Sequence, residues 1–117
     1  MKRIFYLSTC DTCKRILNSW NTEGISLQDI KTVPMTPPQV DAMIAQAGSA
    51  ELLFSKRARK YKELELKERN LSEDDIRGLI LNEYTFLKRP VLIFEDHIFI
   101  GNSTKVVDAA HTFLATK

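Results

Sequence analysis

Two cysteines, Cys10 and Cys13, are the residues whose type and spacing give this chain covalent chemistry. They stand in Cys10-Asp11-Thr12-Cys13, after the apolar run Ile4-Phe5-Tyr6-Leu7 and before a helix-like pattern of Ile16, Leu17 and Trp20. A thiol is a weak nucleophile until it loses its proton, at a pKa of about 8.5 in a free cysteine. The start of a helix supplies unpaired backbone N–H groups and partial positive charge, which favour the thiolate. Cys10 falls just before the expected helix, and Lys14 and Arg15 add nearby charge. It is therefore expected to be the exposed nucleophile with a lowered pKa. Cys13 opens the apolar face of the helix and is expected to be the more buried thiol. It is placed to attack a mixed species formed on Cys10 and to release product by closing a disulfide.

Two other readings of the pair stay open at this point. It could be half of a zinc site, but zinc needs two further ligands, and the two histidines, His97 and His111, stand isolated without ligand spacing. No metal is therefore expected. The cysteines could also be inert, since a free cysteine often behaves as a small buried hydrophobe.

The surrounding pattern predicts the elements that must hold the thiols. Residues 3–7 suit a strand buried on both faces. A helix is expected from about Thr12 to Asn21, and Gly24 ends the unit. Ile25 to Val33 reads as a second strand, with Ile25, Leu27 and Val33 as its packing positions. This is a strand–helix–strand unit with a parallel pair. Thr36-Pro37-Pro38 then starts a helix carrying Val40, Met43, Ile44 and Ala47, closed by Gly48. Ser49 to Leu66 is expected to be short helix or turn. Ser72-Glu73-Asp74-Asp75 opens another helix, buried through Ile76, Leu79 and Ile80. Val91–Phe94 and Ile98–Gly101 flank the turn Glu95-Asp96-His97 as a β-hairpin. Ser103 or Asn102 caps a last helix whose inward residues are Val106, Val107, Ala110, Phe113 and Leu114. The order β-α-β, helices, β-β-α implies an α/β fold: a mixed sheet of about four strands with helices on both faces. The chain reads as one domain, 1–117, with a helical insertion at about 36–84.

Positive charge outside the thiol stretch gathers in two places. Lys56 to Lys62 holds five cations in seven positions, Arg57 among them. A solvated face explains such a run, and so does a site for an oxyanion or an acidic partner, because arginine presents a fork of donors to anions. Arg89-Pro90 is more specific. A proline opening a strand supports an X–Pro bond able to be cis, and it holds Arg89 at the end of the sheet where the thiol loop also lies.

Bulk properties exclude several function classes. A composition of 44% hydrophobic and 27% charged residues is that of an ordinary globular domain, and 117 residues can bury a core without staples. No apolar stretch approaches the roughly 20 residues of a membrane span. Ile4 to Leu7 is too short for the apolar part of a signal peptide. The net charge of +2 is too mild to imply direct nucleic-acid binding. The expectation is a cytoplasmic protein with no membrane partner, and in a reducing compartment a cysteine pair points to redox chemistry.

Four stretches together resemble a known family: Cys10-Asp11-Thr12-Cys13-Lys14, Ser55-Lys56-Arg57, Tyr61-Lys62-Glu63-Leu64, and Leu87-Lys88-Arg89-Pro90-Val91-Leu92-Ile93. Their order and spacing, with Gly101 before the last helix, resemble the ArsC/Spx family of arsenate reductase-like proteins over essentially the whole chain. The resemblance implies a thioredoxin-like fold. It also implies a cysteine that attacks arsenate, arginines that hold the oxyanion, and reduction completed by glutathione and glutaredoxin, with no bound cofactor. Cys10 matches that nucleophile, and Arg57 and Arg89 match two of the arginines. The position of the third arginine is Asn102 here, and losing one charged fork weakens oxyanion binding by about 1.5–3 kcal/mol. Cys13 departs from the reductase pattern and looks like the Spx branch, whose members are redox-switched regulators that bind the C-terminal domain of the RNA polymerase α-subunit. The resemblance thus implies a thiol reductase, with Cys10 attacking a small anionic or glutathione-linked substrate and Cys13 resolving, or alternatively a regulator of the Spx type.

Overall fold

Runs rich in β-branched and aromatic residues make three of the four strands of the sheet, and helical periodicity makes the layer on it. A computed structural model describes residues 1–116. These fall into two compact units, residues 1–34 with 89–116, and Met35–Lys88.

In the first unit, β1 (Lys2–Tyr6) lies centrally in a four-stranded sheet ordered β2-β1-β3-β4, with β2 at Ser26–Asp29, β3 at Val91–Phe94 and β4 at His97–Ile100. β1 runs parallel to β2, with Ile4 opposite Leu27 and Tyr6 opposite Asp29. It runs antiparallel to β3, with Ile4 opposite Leu92 and Phe5 opposite Val91, and β3 pairs antiparallel with β4. The mixed α/β sheet of four strands is thus the expected one. Side chains alternate across a strand, so Ile4 and Leu92 share one face. Helix α1 (Asp11–Ser19) and the C-terminal helix (Thr104–Ala115) pack there through Ile16, Trp20, Ala110 and Leu114. The indole N–H of Trp20 donates to the Val107 carbonyl at 3.2 Å and ties the two helices together. Phe5, Val91 and Ile93 face the other way and are equally buried, which is why residues 3–7 show no polar alternation.

The second strand corrects the expectation. It spans only Ser26–Asp29, and Leu27 and Val33 are 47% and 57% exposed, while Gln28 is buried. β2 is an edge strand with a neighbour on one side only, so its side chains are covered only where a helix overlies them. Val33 lies beyond the strand, in a turn closed by its N–H on the Asp29 carbonyl at 2.8 Å. Gln28 is satisfied there: its amide accepts from Arg3 at 3.2 Å and donates to the carbonyls of Val33 and Pro34. The first helix begins one residue earlier and ends two earlier than expected, the ordinary uncertainty of helix ends.

The second unit is helical. Helix α2 (Pro37–Ala47) opens with a capping box between Thr36 and Gln39 and closes at Gly48 with φ +97°. After a short 3₁₀ turn, Tyr61-Lys62-Glu63 ends the brief helix α3 (Arg59–Glu63). Helix α4 (Glu73–Asn82) opens with a Ser72–Asp75 capping box. Arg77 of α4 forks onto Asp41 of α2 at 2.6 and 3.1 Å. Leu53, Phe54, Leu66, Ile76, Ile80, Phe86 and Leu87 are buried in this unit. The C-terminal helix Thr104–Ala115 is α5. No helix among the described residues is long and apolar enough to cross a membrane.

Candidate active site

The register of the sheet brings chemistry-bearing residues to one end of it. β1, β2 and β4 run in one direction and β3 in the other. The C-terminal ends of the first three therefore meet the start of β3. The loop after β1 carries Cys10, β2 ends at Asp29, Arg89-Pro90 leads into β3, and Asn102 follows β4. Helices α1 and α5 also begin at this end, so two sets of unpaired backbone N–H groups lie there.

Cys10 is the N-cap residue of α1, with extended backbone, and its N–H donates to the Leu7 carbonyl at 3.0 Å. Both cysteines are free thiols: Cys10 is partly exposed and Cys13 is 1% exposed. Burial works against ionising Cys10. The backbone N–H and the thiol of Cys13, the N–H of Thr12 and the Arg89 guanidinium outweigh it, and the Cys10 pKa falls below its ordinary value. Burial pushes the Cys13 thiol up to about 11, and the charge and hydrogen bonding of Cys10 add to this, while Leu7 and Arg89 work the other way. In a pair of this kind the sulfur at the helix start is the easier to ionise, and the one a turn behind it holds its proton more tightly.

The other sequence-predicted residues divide by unit. The Arg89–Pro90 peptide bond is cis, Pro90 is buried and Arg89 is partly buried. The N–H of Gly101, at φ +90°, donates to the Pro90 carbonyl at 2.9 Å. That bond brings the end of β4, and with it exposed Asn102, back to the same corner. Ser103, not Asn102, caps α5 by accepting from the Val106 N–H at 3.3 Å. Arg57 belongs to the second unit, exposed just ahead of α3. Within that unit Lys56 pairs with Glu51 and Lys60 with Glu63, each at 3.6 Å, so part of the basic run is an ordinary charged surface. His97 lies at the opposite end of the sheet from the thiols, against Phe113 at 4.6 Å between ring centroids. Among the described residues no group of three or more His, Cys, Asp or Glu could hold a metal ion.

One pair escaped the sequence. Ser8, in the loop leading to Cys10, donates its hydroxyl to Asp29 Oδ2 at 2.5 Å and its N–H to Oδ1 at 3.2 Å. The Ser8 hydroxyl is the main cause holding the Asp29 carboxyl below the usual range. The only signal would have been an acid at a strand end beside a loop serine, and that is too common to single out.

A profile of the ArsC family matches residues 5–110. Among solved structures, a possible arsenate reductase from Streptococcus mutans UA159 is similar at 26% identity, covering 89% of this chain and 92% of that one, with a TM-score of 0.71. A protein from Staphylococcus aureus COL is similar at 27% identity over 93% of this chain and 97% of that one, with a TM-score of 0.72. An ArsC family related protein from Bacteroides fragilis shares the fold at 19% identity, over 93% and 96% of the two chains, with a TM-score of 0.77. No curated protein matches the chain. The four-stranded sheet with its thioredoxin-like arrangement agrees with these relatives, and with the profile spanning all but the ends of the chain, the protein belongs to the ArsC family.

Proposed function

We propose that this ArsC family member is a cytoplasmic thiol oxidoreductase that reduces a small anionic substrate, a glutathione-linked disulfide or an oxyanion, with Cys10 attacking and Cys13 resolving. The observation that carries this reading is the unequal thiol pair at the start of α1: Cys10 is lowered and partly exposed, while Cys13 is raised and buried. With a disulfide substrate, the Cys10 thiolate attacks one sulfur. The substrate S–S bond breaks, a first thiolate leaves, and a mixed disulfide forms on Cys10. Cys13 then loses its proton to solvent and attacks the Cys10 sulfur. The second thiolate leaves and a Cys10–Cys13 disulfide closes, so two electrons have passed to the substrate. Glutathione or glutaredoxin reduces that disulfide and restores the dithiol.

The order of events follows from the electrostatics. While Cys10 is ionised, its charge and hydrogen bonding help keep the Cys13 proton in place. Once Cys10 is in a mixed disulfide that charge is gone, and Cys13 becomes easier to ionise at the moment it must attack. Arg89, whose charge favours both thiolates, is the residue at this end of the sheet for an anionic substrate group. Asn102, at the same end of the sheet, is a further candidate for binding it.

Reduction of glutathione-linked mixed disulfide and of arsenate, by wild type, Cys10→Ser and Cys13→Ser, tests the reading. Cys10→Ser should lose turnover, and Cys13→Ser should accumulate a mixed disulfide on Cys10. Unchanged turnover in Cys10→Ser would overturn it.

The same thiol contact supports a second reading, a redox-switched regulator of the Spx type that binds the C-terminal domain of the RNA polymerase α-subunit. Exposed Arg57, Arg59 and Lys62 offer cations to an acidic partner surface. Capture of that domain that changes with oxidant favours this reading, and capture indifferent to oxidant rejects it.

A further inference from the structure

The loop that delivers Cys10 to the helix has an anchor outside itself. The Cys10 N–H on the Leu7 carbonyl closes a four-residue turn between β1 and α1. Ser8 is the second residue of that turn, and both its hydroxyl and its N–H donate to the two oxygens of the Asp29 carboxylate. Asp29 is itself immobilised. It is the last residue of β2, in register with Tyr6, and the next residue, Ile30, donates to the Tyr6 carbonyl at 3.0 Å. Oδ1 also accepts from the Lys31 N–H at 3.2 Å, and the Asp29 carbonyl accepts from the Thr32 hydroxyl at 3.3 Å. A carboxylate held by the neighbouring strand therefore grips the turn at two points.

We propose that Asp29, acting through Ser8, is a positioning residue for the Cys10 nucleophile: it holds the Leu7–Cys10 turn in the geometry that keeps the Cys10 sulfur at the N–H groups of Thr12 and Cys13. A turn closed by one backbone bond samples several arrangements, and in most of them the sulfur leaves those N–H groups. Two hydrogen bonds to an anionic acceptor are of the stronger, charge-assisted kind and restrict the turn to one arrangement. The Asp29 carboxylate bonds Ser8 and the Lys31 N–H, so its effect on the Cys10 turn passes through Ser8.

The inference rests on Cys10 being the reactive thiol, and its test reads that sulfur directly. The rate of Cys10 alkylation by iodoacetamide against pH, followed by mass spectrometry, is measured for wild type, Ser8→Ala, Ser8→Thr, Asp29→Ala and Asp29→Asn. Ser8→Ala and Asp29→Ala should each move the Cys10 titration to higher pH and slow alkylation at neutral pH about threefold to tenfold, the net value of one ordinary hydrogen bond, because the loss reaches the sulfur only through the turn. Ser8→Thr, which keeps the hydroxyl, should restore the profile, and Asp29→Asn, which keeps an acceptor, should fall between. An unchanged profile in Ser8→Ala overturns the proposal. So does faster alkylation in Asp29→Ala, which is what removing a bare negative charge near a thiolate would produce. Should Asp29→Ala not fold, Ser8→Ala and Ser8→Thr carry the test, since they alter a single partly exposed side chain. No substrate enters this measurement, so failure of the reductase reading and failure of the positioning role give different results.

Discussion

The N–H of Gly101 donates to the carbonyl oxygen of Pro90 at 2.9 Å, joining the end of β4 to the residue that leads into β3. Arg89 and Asn102 flank that bond, one from each strand. Gly101 reaches it at φ +90°, a conformation that a side chain would strain. This corner of the sheet is therefore held by backbone, and the side chains on either side can be changed without breaking that bond.

Asn102→Arg should raise the affinity for a tetrahedral oxyanion such as arsenate by roughly tenfold to a hundredfold, the value of one charged hydrogen-bonding group. Asn102 is exposed and Ser103 supplies the α5 cap, so the substitution should leave the thermal midpoint unchanged. Arsenate KM for the two proteins is the measurement, and an unchanged KM removes Asn102 from the site.

Arg89→Gln should move the Cys10 titration to higher pH, because the Arg89 charge lowers it. It should raise KM for anionic substrates about tenfold or more. Arg89→Lys keeps a charge and should restore most of the thiol titration but less of KM, since lysine lacks the planar fork. Alkylation profiles set beside KM values separate the two effects.

Cys13→Ala should also move the Cys10 titration to higher pH, since it removes a thiol that donates to the Cys10 sulfur. Cys13→Ser keeps a donor and should change it less. Equal profiles in the two variants would mean that the Cys13 side chain gives the thiolate no hydrogen bond, leaving the backbone N–H groups and Arg89 to hold it.

The raised Cys13 thiol predicts a loss of stability in alkali. Its folded pKa, about 11, lies above that of an unfolded thiol. Below the ordinary thiol range both states hold the proton and its contribution is fully present. As pH rises from that range through about 11, the unfolded chain ionises first and the contribution is lost. Urea unfolding of the reduced protein should show wild type losing stability more steeply than Cys13→Val over this window.

Trp20→Ala should destabilise the protein by about 3–5 kcal/mol, the cost of truncating a large buried aromatic. Trp20→Phe, which loses chiefly the bond to the Val107 carbonyl, should cost about 1 kcal/mol. Thermal or denaturant midpoints check both values.

Much of the first unit was legible because its signals are local. Ile4 to Leu7 could only be a buried strand, and Cys10 had to sit at a helix start once Ile16, Leu17 and Trp20 marked the helix. The hairpin was written in the apolar runs around Glu95-Asp96-His97, and in the second unit the hydroxyl caps at Thr36 and Ser72 were equally local signals. Where burial depended on which edge of the sheet a strand occupied, the pattern misled: Leu27 and Val33 are exposed and Gln28 is inside.

The sequence by itself determined the thiol pair, the unequal burial of its two sulfurs and the α/β order, because each depends on residues within about one helical turn or one strand of each other. Tertiary structure alone decided that Ser8 meets Asp29, 21 residues away, and that the Gly101 N–H bonds the Pro90 carbonyl, 11 residues back, beside Arg89 and Asn102. Those meetings depend on strand order and register. Both are set by summed packing across the whole sheet, which no short stretch of sequence contains.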